Sequence, residues 1–178
     1  MSKPIMLISA PVATRSGYGN HSRDLIESLI EMDKWDIKIA SLRWGDCSMD
    51  ALDDNNPVHK KIKNCFIGPN NQINQQPDIN IDIRVPNEFQ QVGKFNIGIT
   101  AGMETTLVSP EWIEGCNRMD LIIVPSEHSK KTFLESTLLF HIFMKSSSVK
   151  LYISNPFGKK ITLLINSGLK ELTMFDIV

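Results

Sequence analysis

Between Pro4 and Leu42 the hydrophobic period changes twice, and that change limits what the chain can fold into. Pro4 to Ala10 is a short apolar run stopped by Pro11, as expected of a strand buried in a parallel sheet. The polar, glycine-containing stretch Thr14-Arg15-Ser16-Gly17-Tyr18-Gly19 follows, and then Leu25, Ile26, Leu29 and Ile30 recur at helical spacing until about Asp33. From Trp35 to Leu42 apolar and polar residues alternate, the pattern of a half-buried strand. Strand, glycine loop, helix and strand in that order make a β-α-β unit.

The rest of the chain repeats the alternation after an interruption. Arg43 to Pro77 lacks clear periodicity and is rich in Asn and Gln, so it reads as a long surface excursion with a short helix near His59 to Lys63. Asp78 to Val85 alternates strictly and reads as a strand, and a second strand covers Phe95 to Thr100. Ser109-Pro110-Glu111 marks a helix start: a hydroxyl N-cap, a proline whose missing N–H costs nothing in the first turn, and an acid facing the positive helix end. That helix runs to about Met119. Asp120 to Pro125 is a buried strand, and Ser126-Glu127-His128-Ser129 caps a helix through Phe133 and Leu134. The order implies an α/β domain with three layers, a mainly parallel sheet between helices. Beyond Glu135 the character changes. Leu138 to Met144 is almost wholly apolar, Ser146-Ser147-Ser148 breaks the pattern, and short strands are expected near Val149 to Ile153 and Ile161 to Ile165. We therefore expect a domain over residues 1–137 and a divergent or truncated tail over 138–178.

Composition excludes several classes. A formal net charge of −1 over 178 residues offers no electrostatic footprint for nucleic acid. No apolar run approaches the roughly 20 residues needed to span a bilayer, and the N-terminus lacks a signal-peptide layout, so a cytoplasmic protein without a transmembrane segment is expected. Cys47, Cys65 and Cys116 are odd in number and widely spaced, which argues for reduced thiols rather than a disulfide framework or a zinc site. His21, His59, His128 and His141 are scattered as well, so no metal is expected.

The ordered motifs resemble a known family. Ser9-Ala10-Pro11 through Gly17-Tyr18-Gly19-Asn20-His21-Ser22-Arg23, then Gly102-Met103-Glu104-Thr105-Thr106, Ser109-Pro110-Glu111-Trp112-Ile113, and Val124-Pro125-Ser126-Glu127-His128-Ser129-Lys130 are similar, in order and spacing, to the acceptor-side domain of retaining, nucleotide-sugar-dependent glycosyltransferases with the GT-B fold. The resemblance covers roughly residues 4 to 135 and implies one Rossmann-like half of that fold. In the family this half faces a second, donor-binding domain across a cleft, and the chemistry needs no bound metal or cofactor, the nucleotide sugar being a substrate. The resemblance thus implies transfer of a sugar to an acceptor hydroxyl, incomplete without that second half, which could be separately encoded. A non-catalytic module binding an acceptor or a nucleotide is the alternative. A nicotinamide-dependent oxidoreductase fits less well, because Ser22 stands where the full fingerprint has its third glycine.

The candidate site residues follow from these motifs. Gly17, Tyr18 and Gly19 lie between the first strand and the first helix, where backbone N–H groups can approach a phosphate. His21 and Arg23, expected in the helix's first turn, would offer a sugar contact and a phosphate partner, or else a cap and a solvated side chain. Glu104 follows a strand at the carboxyl edge of the sheet, where it would orient an acceptor hydroxyl beside Thr105, or simply bond loop amides. Ser126, Glu127 and His128 open the later helix at the same edge, and helix capping alone would account for Ser126. Trp44 after the second strand reads as packing.

Overall fold

A computed structural model describes residues 2–68, 73–102, 105–143, 151–154, 160–165 and 168–173, with side chains as far as residue 137. Parallel strands flanked by helices make it an α/β fold of the Rossmann-like kind, as the alternation of periods implies. The chain divides into two compact units, Met1–Arg84 with Gln91–Asn96, and Val85–Gln90 with Ile97–Val178. Among the described residues no helix is long and apolar enough to cross a membrane.

The first unit holds β1 (Ile5–Ala10), α1 (Gly17–Met32), β2 (Asp36–Ser41), α2 (Pro57–Asn64) and β3 (Ile79–Ile83). β1 lies between the other two strands, parallel to β2 from Ile5↔Asp36 to Ala10↔Ser41 and to β3 from Met6↔Ile79 to Ser9↔Asp82. That central position explains why its run is apolar on both faces: Met6, Leu7, Ile8 and Ala10 are all buried. From α1, Ile26 and Leu29 are buried, each contributing about 1.5–3 kcal/mol relative to exposure. Asp33 ends that helix in the left-handed region at φ 52°, donating its N–H to the Ile30 carbonyl. In α2 the Asn56 side chain accepts from the Val58 and His59 amides and Pro57 opens the first turn, so the helix expected near His59 is set by its cap.

In β3 the alternation marks the strand but not an exposed face, since Asn80 and Asp82 are as buried as Ile81 and Ile83. Asp82 lies in a bidentate ion pair with Arg84, at 2.5 and 2.9 Å. The Asn96 side chain accepts from the Val92 and Gly93 amides and from Asn80 Nδ2, and donates to the Gly93 carbonyl. Those bonds hold the Val92–Gly93 turn over Asn80 so closely that a Cβ on Gly93 would meet the Asn80 backbone at 2.8 Å.

The second unit contains a 3-10 turn (Pro86–Glu88), α3 (Pro110–Asn117), β5 (Leu121–Val124), α4 (Glu127–Phe143), β6 (Leu151–Ser154), β7 (Lys160–Ile165) and β8 (Gly168–Thr173). β4 (Phe95–Ile99) is shared: Phe95 and Asn96 count with the first unit, Ile97 to Ile99 with the second. β5 pairs in parallel with β4 and β6, whereas β6, β7 and β8 run antiparallel to their successive neighbours. The core is Phe89, Val108, Ile113, Cys116, Met119, Ile122, Val124 and Phe133, with Trp112 stacked on Phe133 at 6.1 Å. Burial pushes the Cys116 thiol up to about 12, so it behaves as a small apolar residue.

Three local expectations need correcting. The helix that opens at Ser126 runs on to Phe143, through part of the apolar stretch left without an assignment, and β8 follows β7 where no strand was expected. Ser109 precedes α3 but its hydroxyl does not cap the helix. It bonds the Glu111 carboxylate, which its own backbone and Ser109 together hold below the ordinary carboxylate range.

Candidate functional site

The site in the first unit is built around the start of α1. After Ala10 the chain turns sharply: the Thr14 amide and hydroxyl both donate to the Pro11 carbonyl, at 3.0 and 2.8 Å, and Thr14 is fully buried. Ser16 is extended and caps the helix, its hydroxyl accepting from the Gly19 amide at 2.9 Å. The α1 macrodipole therefore points its positive end at this turn. Two guanidinium groups flank it. Arg23 reaches back to donate to the Val12 and Thr14 carbonyls, at 2.7 and 3.1 Å, and to Asn20 Oδ1. Partial burial, partly offset by Asp24, lowers its pKa without threatening its charge. Arg15 pairs with Asp50 at 2.8 Å, and the Arg15 and Ser48 side chains bring the Asp50 carboxyl down to about 2.

Backbone bonds from Arg15 to the Ser48 carbonyl and from Ala51 to the Ala13 carbonyl lay the loop after β2 alongside this turn. A pocket of about 440 Å³ results, lined by Arg15, Ser16, Gly17, Asn20, Arg23 and Ala51. Its lining offers donors and positive charge, and that is the chemistry of an oxyanion site.

The expected start of the helix changes here. The two glycines are not a loop before the helix but its first turn, so His21 and Arg23 fall in the second turn. Gly17 lines the pocket, with open space around its missing Cβ. Gly19 does not, because a Cβ there would lie 2.3 Å from the Thr14 carbonyl oxygen; its glycine is required by packing of the turn. Tyr18 stacks on Trp44 with ring centroids 4.1 Å apart, and His21 is exposed. Arg23 does line the pocket, yet its main bonds are to the chain's own carbonyls.

The remaining candidates belong to the second unit. Glu104 lies outside the described residues. Thr105 is exposed; its hydroxyl donates to the Leu107 carbonyl at 2.8 Å and its carbonyl accepts from the Thr132 hydroxyl at 3.0 Å. Ser126 caps α4, its oxygen accepting from the Ser129 amide at 3.1 Å. Glu127 and His128 are exposed in the first turn. Among the described residues the candidates fall in both units, and the α1 pocket brings together Gly17 and Arg23.

Sequence reasoning missed Arg15, Ser16, Asn20 and Ala51. Ser16-Gly17 directly before a helical period is a cap signal that could have moved the helix start and drawn Asn20 into the first turn; nothing in the sequence signals Ala51. Among the described residues no three His, Cys, Asp or Glu side chains gather as a metal-binding group. No protein-family model matches the chain, and no curated protein or solved structure matches it either.

Proposed function

We propose that this chain is the acceptor-side half of a GT-B-type glycosyltransferase, and that the pocket at the start of α1 receives the diphosphate of a nucleotide sugar. One observation carries the reading: Arg15, Ser16, Gly17, Asn20 and Arg23 surround about 440 Å³ at the amino end of a sixteen-residue helix, directly after a buried parallel strand. Helix-end amides and fixed cations are the groups that stabilise a diphosphate, above all one gaining charge as it leaves. In the reaction the bond from the sugar's anomeric carbon to the phosphate oxygen breaks and the nucleoside diphosphate leaves with the electron pair. The acceptor oxygen bonds that carbon and passes its proton to the departing phosphate oxygen. Glu104 is the residue proposed to orient the acceptor hydroxyl, and a partner chain supplying the donor-binding half would complete the cleft. The three free cysteines fit a reducing compartment, so the activity is proposed to be cytoplasmic.

The test is calorimetric titration of the purified chain with a nucleotide sugar, in wild type and in Gly17→Val, whose Cβ would meet nothing within 4 Å. Millimolar affinity that falls about tenfold in the folded variant is expected, a difference of roughly 1.4 kcal/mol. Unchanged affinity removes the α1 pocket from the reading. With a donor-binding half added, Glu104→Gln should lower turnover and leave donor affinity intact; equal loss of both sinks its acceptor role.

A further inference from the structure

Two aromatic rings stand on the pieces of chain that form the walls of the α1 pocket, and anion chemistry alone has no use for them. Tyr18 lies in the first turn of α1 between Gly17 and Asn20, which both line the pocket. Trp44 is carried by the loop after β2, which reaches the pocket at Ala51. That loop is fastened to the α1 turn by two backbone bonds, from the Arg15 amide to the Ser48 carbonyl at 2.9 Å and from the Ala51 amide to the Ala13 carbonyl at 3.1 Å. Trp44 itself opens a tight turn: its carbonyl accepts from the Cys47 amide at 3.1 Å, and Gly45, at φ 50°, takes the left-handed conformation within it. So mounted, the two rings stack with centroids 4.1 Å apart and planes within 24° of each other.

Packing alone would be served best by burying such a pair. Trp35, Phe89 and Phe133 are buried, whereas Tyr18 and Trp44 are each only half-buried. Stacking covers one face of each ring, so the surface they keep exposed belongs to the opposite face or to the edge. The Trp44 indole N–H is unengaged as well: among the described residues it has no acceptor, and it is not one of the buried polar atoms. A flat apolar face on a fixed mount, with a hydrogen-bond donor on its rim, has the two features that hold a ring: the face stacks and the donor meets a ring substituent. The platform stands after the carboxyl end of β2 and beside the start of α1, on the edge where open α/β sheets bind ligands.

We propose that Tyr18 and Trp44 form a stacking platform for the ring of a phosphate ester whose phosphate lies in the α1 pocket, so that the site takes a sugar phosphate or nucleotide unit rather than a bare anion. The proposal rests on the reading that the α1 pocket receives phosphate, and it adds the group that the phosphate carries. Successive α-carbons lie about 3.8 Å apart, so a ring joined to a phosphate beside Gly17 has only a short span to cover before it meets Tyr18 and Trp44. The arginines and the helix end hold the charge, which every phosphate shares. The aromatic pair supplies the discrimination, stacking on the ring while the Trp44 indole N–H donates to an oxygen on it.

The experiment titrates the full chain with inorganic phosphate, glucose 1-phosphate and uridine 5′-monophosphate at constant ionic strength, read by NMR at the Gly17 and Asn20 amides and at the Trp44 indole N–H, whose resonance is identified by its loss in Trp44→Phe. All three ligands should shift the two amides saturably. At least one ring ester should bind about tenfold more tightly than inorganic phosphate and move the Trp44 indole N–H, which inorganic phosphate leaves in place; the tighter ester tells a sugar ring from a nucleoside. Trp44→Ala should abolish that advantage and leave the affinity for inorganic phosphate unchanged, a split that a loop-fastening role would not produce. Ring esters that bind no more tightly than inorganic phosphate, or equal losses for all three ligands in Trp44→Ala, overturn the platform and leave the pocket standing. Failure of all three to saturate the amides overturns the pocket reading and the platform with it. Should Trp44→Ala fail to fold, the wild-type protein decides: an indole N–H unmoved by a bound ester overturns the platform.

Discussion

Ser16 and Ser126 meet the same need in the two units. Each follows a parallel strand, opens a helix, and lends its hydroxyl to the amide three residues on, at 2.9 Å to Gly19 and 3.1 Å to Ser129. What stands beside the cap differs. At α1 the cations are arginines whose forks already hold carbonyls or a carboxylate, and the groove between them is open. At α4 the cation is a buried lysine, Lys130, paired with Glu127 at 3.7 Å. An arginine fork with internal partners fixes a turn, whereas the point charge of a lysine at ion-pair distance holds its partner in no single orientation. The same cap therefore stands beside an open pocket in one unit and a buried lysine paired with Glu127 in the other.

The largest test of this pairing concerns how tightly each unit is closed. A Cβ on Gly115 would lie 1.8 Å from the Pro86 carbonyl oxygen, backbone against backbone, so Gly115→Ala should cost more than about 3 kcal/mol in urea unfolding, or prevent folding. A stable Gly115→Ala protein would mean that the second unit yields more easily than its contacts imply.

Gly19→Ala comes next. Its Cβ would stand 2.3 Å from Thr14 O and 2.8 Å from Thr14 Oγ1, and since the hydroxyl can rotate while the carbonyl cannot, a loss of about 1–3 kcal/mol is expected. Gly17→Ala, facing open space two residues earlier in the same turn, should stay within about 0.5 kcal/mol of wild type. Equal effects at the two glycines would break the distinction drawn between a packing glycine and a pocket glycine.

Removing the caps sharpens the comparison further. Ser16→Ala and Ser126→Ala should cost similar amounts, about 1 kcal/mol each, because each oxygen also meets a second hydroxyl, Thr14 Oγ1 at 2.7 Å and Ser129 Oγ at 3.0 Å. A clearly larger loss for Ser16→Ala in matched denaturation curves would show that the α1 turn depends on its cap more than its arginine bonds suggest.

The smallest effect is electrostatic. Asp50 titrates at about 2 in the folded chain against an ordinary 3.8, so its pairing with Arg15 stabilises the folded state above pH 4 and is lost as the pH falls through 2. Both side chains are about two-thirds exposed, so the contribution is small and screened by salt. Asp50→Asn should flatten the acid limb of the stability profile between those values at low ionic strength; an unchanged limb would assign the acid sensitivity to other carboxylates.

Much of the scaffold was legible because period alone marks it. β1, β2, β3, β4 and β5 fall within the apolar or alternating runs, and the helix at Ser109-Pro110-Glu111 starts where proline and acid require. The site was less legible. Gly17-Tyr18-Gly19 reads as a loop when glycines are taken as breakers, yet a serine cap and the close Thr14 carbonyl draw them into the helix. Asn80 and Asp82 alternate with isoleucine as exposed residues would, and only the Asn96 bonds and the Arg84 fork reveal that they are buried. Lys130 carried no signal at all: a lysine in a polar first turn reads as solvated, and its burial follows from tertiary packing.

The shared strand β4 has a consequence for how the protein can be made or divided. The first unit takes Gln91–Asn96 only after the chain has given Val85–Gln90 to the second. A gene cut after Arg84 would strand Asn80 without Asn96, and one begun at Ile97 would lack both Phe89 and the Pro86 carbonyl that Gly115 lies against. Neither cut therefore leaves a unit whole.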